Sequence, residues 1–314
     1  MTECDKVNTQ VKQLVQKNYT EGGERVTSQV RDLIEALVYS NNLSRNVKDR
    51  VMRVLESDTS ARDAIFRDTM RNRLERIRED SQKKISGLAT VEDPPMLDMS
   101  RFLPTKADLD ATRNVIDARK IADTLARMNV HYMPSILLHG STGCGKTTFA
   151  RFLAVEAKLP FVMLKLSNVV DSLLGQTDKN IATVFDYAAQ EPCVLCLDEI
   201  DALALRRGQE DSTGAISRAT ITLMQQLDQM PNDTIIVATT NRFDDLDPAF
   251  VRRFTIQHEV KPLSHDEAKW LVDMFFDRTL GYVPSGMPSW PSGAPAYAVI
   301  NRCTEELIRI ISNQ

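Results

Sequence analysis

No run of this chain approaches the roughly 18 consecutive apolar residues that a membrane-spanning helix requires, so an integral helical membrane protein is not expected. The opening Met1-Thr-Glu-Cys-Asp-Lys-Val lacks the apolar core of a secretory leader, and the expectation is a soluble, cytoplasmic protein. Cysteine is sparse, with five scattered along 314 residues. Cys193 and Cys196 form a C-x-x-C, but on a run that reads as a strand, where residues three apart face opposite ways. They are expected neither to bridge nor to share a metal, and to act as small buried hydrophobes. None of the four histidines (His131, His139, His258, His265) stands in an H-E-x-x-H, which excludes a zinc metalloprotease of that type. A G-x-S-x-G nucleophile elbow is missing as well. Net charge is only −4, which argues against general attraction to nucleic acid. No internal repeat or low-complexity tract is visible.

What is present describes an ordinary globular chain, 42% hydrophobic and 26% charged, long enough for two unequal domains. Its most informative segment is Gly140-Ser141-Thr142-Gly143-Cys144-Gly145-Lys146-Thr147, which satisfies G-x-x-x-x-G-K-[ST] at every fixed position. The apolar Ile136-Leu137-Leu138 precedes it, and a helix-like stretch begins at Thr148. Glycines in such a loop let successive backbone N–H groups point at one anion, assisted by the positive end of the following helix. The stretch from Gly140 to Thr148 therefore reads as the cradle of a nucleoside triphosphate, with Lys146 reaching the β- and γ-phosphates and the Thr147 hydroxyl ligating Mg²⁺. Cys144, inside this loop, is placed to feel the helix N-terminus. That favours a thiolate and makes it a candidate for redox or alkylation sensitivity.

A second apolar run, Cys193-Val-Leu-Cys-Leu, reads as a strand buried on both faces that delivers Asp198, Glu199 and Asp201 at its carboxyl end. Asp198 is placed to hold Mg²⁺ through water, as a Walker-B aspartate does. Glu199 is the candidate base for the attacking water. A third run, Thr234 to Thr239, ends at Asn241, whose neutral amide suits contact with both water and γ-phosphate. Further on, Leu246-Asp-Pro-Ala-Phe-Val-Arg252-Arg253-Phe254 presents adjacent arginines at an apparent helix end, where they also complement the helix dipole.

Together, the phosphate loop, the Asp198-Glu199-Ile200-Asp201 segment and Thr240-Asn241-Arg-Phe-Asp-Asp-Leu246-Asp247-Pro248-Ala249-Phe-Val-Arg252 resemble an AAA+ ATPase of the substrate-remodelling AAA group. The likeness runs from about residue 105 to the C-terminus. It implies ATP and Mg²⁺ as cofactors and Asn241 as the sensor-1 residue. Arg252 and Arg253 become fingers reaching a neighbouring subunit's ATP in a homo-oligomeric ring of six. The family's proline-glycine between the two arginines is absent, which leaves open which of them acts in trans. A faint narrower likeness is to bacterial AAA proteins encoded beside subtilisin-like proteases. Leu173-Leu174 occupy the position of the family's aromatic-aliphatic pore loop and serve either to grip threaded polypeptide or to pack a helix start. Ser292-Gly293-Ala294 resembles the start of the family's S-G-A-D lid motif, with Pro295 in the fourth place, so Gly293 and Ala294 either border the adenine or simply pack a helix start.

The expected fold is α/β: a phosphate-loop parallel sheet with helices on both faces, a small helical lid and an all-helical N-terminal domain. Residues 1–85 carry helical periodicity throughout, with Val7 to Val15, Val26 to Val38, Val47 to Leu55 behind a Ser44 cap, and Arg62 to Lys84 as its segments. This domain would recognise a protein client or adaptor. Residues 86–105, with Pro94, Pro95 and Pro104, read as a linker. The ATPase subdomain then spans 106–260 and alternates strands at 134–139, 161–166, 193–198 and 234–239 with helices. The lid, 261–314, opens with a capping box at Ser264 and Glu267, on a helix through Phe276. Two other functions stay open: a nucleic-acid-associated AAA+ ATPase of the helicase-loader or transposition-regulator type, and a nucleotide switch that assembles without appreciable turnover.

Overall fold

A computed structural model describes residues 28–39, 45–57, 64–128, 130, 132–166, 176–204, 214–285 and 289–312. Two compact units result, one of residues before Gly87 grouped with 189–192 and one of the remainder. In the first, α1 (Ser28–Tyr39), α2 (Arg45–Ser57) and α3 (Ala64–Ile85) enclose a small core. Ile34, Leu37, Val38, Val51, Val54, Leu55, Met70 and Leu74 form it, at the three- and four-residue spacing that puts side chains on one helix face. Arg31 covers the Phe66 ring at 4.5 Å. On α3, Glu75, Arg76, Arg78, Glu79 and Asp80 are exposed, as a solvated mixed-charge face should be. The expected helix around Val7 to Val15, the Ser44 cap and the Leu173-Leu174 pair lie outside the described residues.

The second unit is built on a six-stranded sheet in the order β1-β3-β4-β5-β2-β6. Its strands are β1 (Thr90–Glu92), β2 (Ser135–His139), β3 (Phe161–Lys165), β4 (Val194–Asp198), β5 (Ile235–Thr240) and β6 (Ile256–Glu259). All neighbours run parallel except β1, which is antiparallel to β3. Ile136 to Leu138, Val194 to Leu197 and Ile235 to Ala238 are fully buried, which is why these strands show unbroken apolar runs instead of alternation. Helices α4 (Lys106–Arg127), α5 (Lys146–Ala157), α6 (Thr177–Gln190), the short α7 (Asp201–Ala204) and α8 (Gly214–Gln229) connect the strands.

Three elements depart from expectation. Within the segment expected to be a linker, Thr90–Glu92 adds the edge strand β1, and Phe102 packs into the core. Glu92 also accepts from Arg151 Nε of α5 at 2.9 Å, so this stretch belongs to the ATPase unit. Helix α4 is started by a reciprocal cap in which Thr105 N donates to Asp108 Oδ2 at 2.8 Å and Asp108 N to Thr105 Oγ1 at 3.2 Å. Strand β6, beside β2 at one edge of the described sheet, was not expected because its half-buried residues alternate with exposed ones over just four positions.

After β6 the lid follows as α10 (His265–Leu280) and α11 (Ala296–Ser312), counting the four-residue Pro248–Val251 as α9. The capping box is present, with Ser264 Oγ accepting from Glu267 N and Glu267 returning to Ser264 N. Helix α10 runs four residues beyond Phe276, until Gly281 closes it in a left-handed conformation. Phe275, Phe276, Leu271, Val299 and Cys303 fill the lid core, and burial pushes the Cys303 thiol up to about 11.

Candidate functional site

The carboxyl ends of β2, β4 and β5 lie side by side, and the residues that follow them line one open cavity of about 390 Å³. That volume lies in the range of small-molecule and cofactor sites. Thr142 to Thr148, Asp198, Glu199, Thr239 and Asn241 supply its polar lining. Leu103, Val260, Leu263, Leu271, Ala296 and Ile300 supply apolar walls. A nucleotide has the same division between its phosphates and its base.

The loop after β2 is shaped by close backbone contacts. Gly140 has φ +140°, and a Cβ there would sit 2.3 Å from the Val260 carbonyl oxygen. Gly140→Ala is therefore expected to destabilise the fold by about 1–3 kcal/mol through overpacking and to weaken nucleotide binding, both measurable by unfolding and titration. Gly145 adopts the left-handed conformation at the N-cap of α5, so the loop turns directly into the helix. Lys146 is the first residue of that helix and is buried. Its Nζ donates to Gly140 O and Ser141 O, each at 2.9 Å, and to Asn241 Oδ1 at 2.6 Å. Burial lowers the Lys146 pKa, while Cys144, Asp198 and Asp201 oppose the shift. The loop thus pre-forms a polar cage around an ammonium aimed along the sheet's carboxyl edge.

The acids after β4 are tied to the same frame. Asp198 Oδ1 accepts from Thr147 Oγ1 at 3.0 Å and from Thr239 Oγ1 at 2.6 Å. Thr239 Oγ1 also accepts from Glu199 N at 3.2 Å. One threonine on β5 therefore positions both acids, a role the sequence did not announce. Glu199 has φ +57°, an uncommon backbone conformation for a non-glycine residue. Its carboxylate forms an ion pair with Lys165 Nζ of β3 at 3.3 Å. Thr240 Oγ1 donates to Asp201 at 2.9 Å, fixing the third acid.

No group of three or more His, Cys, Asp or Glu residues suited to a metal occurs among the described residues. Thr147 Oγ1 and Asp198 Oδ1 nevertheless offer the hard oxygen donors that Mg²⁺ takes when it keeps waters and substrate phosphates as its other ligands. The donor set fits that ion.

Several expected site residues stand elsewhere. Gly293 and Ala294 do not line the cavity. Their backbone instead pairs with Leu263, through Gly293 N to Leu263 O and Leu263 N to Ala294 O, each at 2.9 Å. Ala296, Tyr297 and Ile300 are the lid residues that reach it, because α11 starts at Ala296 and turns that face inward. Tyr297 N donates to Gly143 O at 3.1 Å, which ties the lid to the phosphate loop. Cys144 lines the cavity but is largely buried, with Sγ 2.9 Å from Ser141 Oγ. Cys193 and Cys196 are fully buried, the setting expected of apolar filler. His139 stacks on Phe243 at 4.2 Å, and burial lowers its pKa. Arg252 and Arg253 lie outside the cavity lining.

Residues 136–262 match the family model described as ATPase family associated with various cellular activities (AAA). An ATPase family protein 2 homolog from Caenorhabditis elegans is 31% identical over 195 residues, 55% of this chain and 27% of that protein. An uncharacterized AAA family ATPase, y4kL, from Sinorhizobium fredii is 36% identical over 133 residues, 42% of this chain and 40% of its own length. The peroxisomal ATPase PEX6 of Homo sapiens is 39% identical over 121 residues, 37% of this chain and 12% of its own. The chain thus spans well under two thirds of each of these relatives.

Proposed function

Because residues 136–262 form an AAA ATPase domain, we propose that this protein hydrolyses ATP to ADP and phosphate in a homo-oligomeric ring, six-membered by family resemblance, and uses the cycle to remodel a protein client. One observation carries this reading: Lys146, Thr147, Asp198, Glu199 and Asn241 converge on one cavity, whereas Arg252 and Arg253 lie outside its lining. A single chain then holds the binding half of a hydrolytic site, and the Arg252-Arg253 segment of a neighbouring copy completes it.

In that site Lys146 turns from the loop carbonyls towards the β- and γ-phosphates. Thr147 and Asp198 would hold Mg²⁺, which would neutralise phosphate charge. Glu199 accepts the proton of the attacking water at its carboxylate, and Asn241 orients water and γ-phosphate. The helical unit before Gly87 selects the client or adaptor. None of the described helices is long and apolar enough to cross a membrane.

An arginine finger contributes about 10³–10⁵ in rate, so turnover per subunit is expected to rise steeply with protein concentration and to be minimal in dilute, monomeric samples. Steady-state ATPase assays across a dilution series, with light scattering at each concentration, test this. Equal specific activity in monomer and oligomer would reject the shared site. Stimulation by DNA with steep salt dependence would shift the client class to nucleic acid.

A further inference from the structure

The two adjacent arginines differ in their surroundings. Arg253 is engaged within its own chain at all three guanidinium nitrogens. Nε donates to Asp228 Oδ1 at 2.8 Å, Nη2 to Asp228 Oδ2 at 2.9 Å and Nη1 to the Ala249 carbonyl at 2.7 Å. This is the fork geometry that matches a carboxylate with two parallel bonds, and a lysine cannot reproduce it. Arg252 is exposed, and among the described residues its guanidinium makes a single hydrogen bond, Nε to Pro248 O at 3.2 Å.

The segment around Arg252 is otherwise anchored. Asp247 caps α9 by accepting from Ala249 N at 2.8 Å, and Pro248 sits in the first turn where its missing N–H costs nothing. Phe250 and Phe254 are buried and pack at 5.2 Å between ring centroids. Thr255 N donates to Ser135 Oγ at 3.0 Å, and Thr255 Oγ1 to Ser135 O at 2.8 Å. Arg252, at the C-cap of α9, is thus a long cation with slack, standing on a fixed base.

Asp228 itself asks for an explanation. It lies in the last turn of α8, where a negative charge opposes the helix dipole and costs about 0.3–1 kcal/mol. Its side chain is 54% exposed and that of Arg253 27%, so an ion pair there returns only about 0–1 kcal/mol. Net stability does not account for the arrangement. Fixed geometry does, since three bonds hold the turn that follows α9.

We propose that Arg252 alone is the residue that enters the neighbouring subunit's nucleotide site, and that Arg253, clamped by Asp228, is a positioning residue that aims it. This inference rests on the shared-site function above. It assigns Asp228 a role in the reaction although that residue never meets nucleotide.

Four variants of the full chain test it: Arg252→Ala, Arg253→Ala, Asp228→Ala and Asp228→Ala/Arg253→Ala. Each is assayed for kcat and KM at a concentration where the unaltered protein turns over maximally. A fluorescent ADP analogue and the melting temperature report folding. Arg252→Ala is expected to lose about 10³-fold in kcat with nucleotide affinity retained, and to recover activity when mixed with Glu199→Gln, which keeps the arginine and lacks the base. Asp228→Ala is expected to lose about ten- to hundredfold in kcat at unchanged KM, the scale of a misplaced group. The double variant should fall no further than Arg253→Ala alone, because both changes open one clamp. If Arg253→Ala does not bind nucleotide, Arg253→Lys takes its place, keeping the charge and forfeiting the fork.

Retention of kcat within about tenfold by Arg252→Ala overturns the proposal. So does an Asp228→Ala protein of normal kcat beside an Arg253→Ala protein as inactive as a missing finger is expected to be, at about 10³-fold. An unaltered protein with no concentration-dependent turnover removes the shared site itself. Normal cooperative turnover that is indifferent to Arg252 removes only this inference.

Discussion

Replacing Lys146 by alanine is expected to weaken ATP binding at least about a hundredfold, the scale of truncating one partner of a desolvated, hydrogen-bonded charge pair. Two losses combine. The phosphates lose the only cation placed inside the loop's lining among the residues from Thr142 to Thr148. The loop also loses a structural tie, because Nζ links Gly140 O and Ser141 O to Asn241 Oδ1, joining the ends of β2 and β5. Arginine is a poor substitute despite its charge, because a planar fork does not fit a site built for a compact ammonium. Isothermal titration with ATP and ADP reads the effect. Near-normal affinity for both nucleotides in Lys146→Ala would show that the cavity does not bind phosphate through this loop.

Glu199→Gln is expected to lower kcat by about 10²–10⁴, the usual contribution of a positioned general base, and to leave ATP affinity nearly unchanged. The amide keeps the size and one hydrogen-bonding oxygen but cannot take a proton from water. Backbone effects should be small, since Thr239 Oγ1 meets the Glu199 N–H and not its carboxylate. The Lys165 ion pair becomes a charge–dipole contact, and at 42% and 38% side-chain exposure that change contributes little to stability. Single-turnover hydrolysis separates chemistry from release, and normal turnover by this variant would contradict the assignment of the base. The same variant, locked with ATP, is the form in which rings and co-purifying clients should be sought.

The two halves of the site differed in how legible they were. The phosphate loop and the acids after β4 were visible because each is a contiguous string whose chemistry needs fixed residue types at fixed spacing, delivered by an unbroken apolar strand. Thr239 was not, since a threonine in a buried strand is ordinary until a neighbouring strand brings Asp198 Oδ1 to 2.6 Å. Lys165 was overlooked for the same reason, as its partner lies across the β3–β4 pair. At the lid, Ser292-Gly293-Ala294 left open a place beside the base or packing at a helix start, and Gly293 and Ala294 pair with Leu263 outside the cavity lining. A helix start fixes which face turns inward, and here that face begins at Ala296.

By itself, the order of residues determined the class of fold and pointed to the chemistry: a phosphate-loop motif, acids after an apolar strand, and alternating strands and helices followed by a helical end. These follow from local rules of backbone reach, periodicity and capping, which act over a few residues and leave their marks in the string. Only the tertiary structure decided which polar groups meet across strands, that residues expected to be a linker complete the sheet, and that one of two neighbouring arginines is held while the other is loose. Such contacts join residues far apart in the chain. Asp228 and Arg253 carry no pattern that announces their bond, and it exists because α8 and the turn after α9 end side by side.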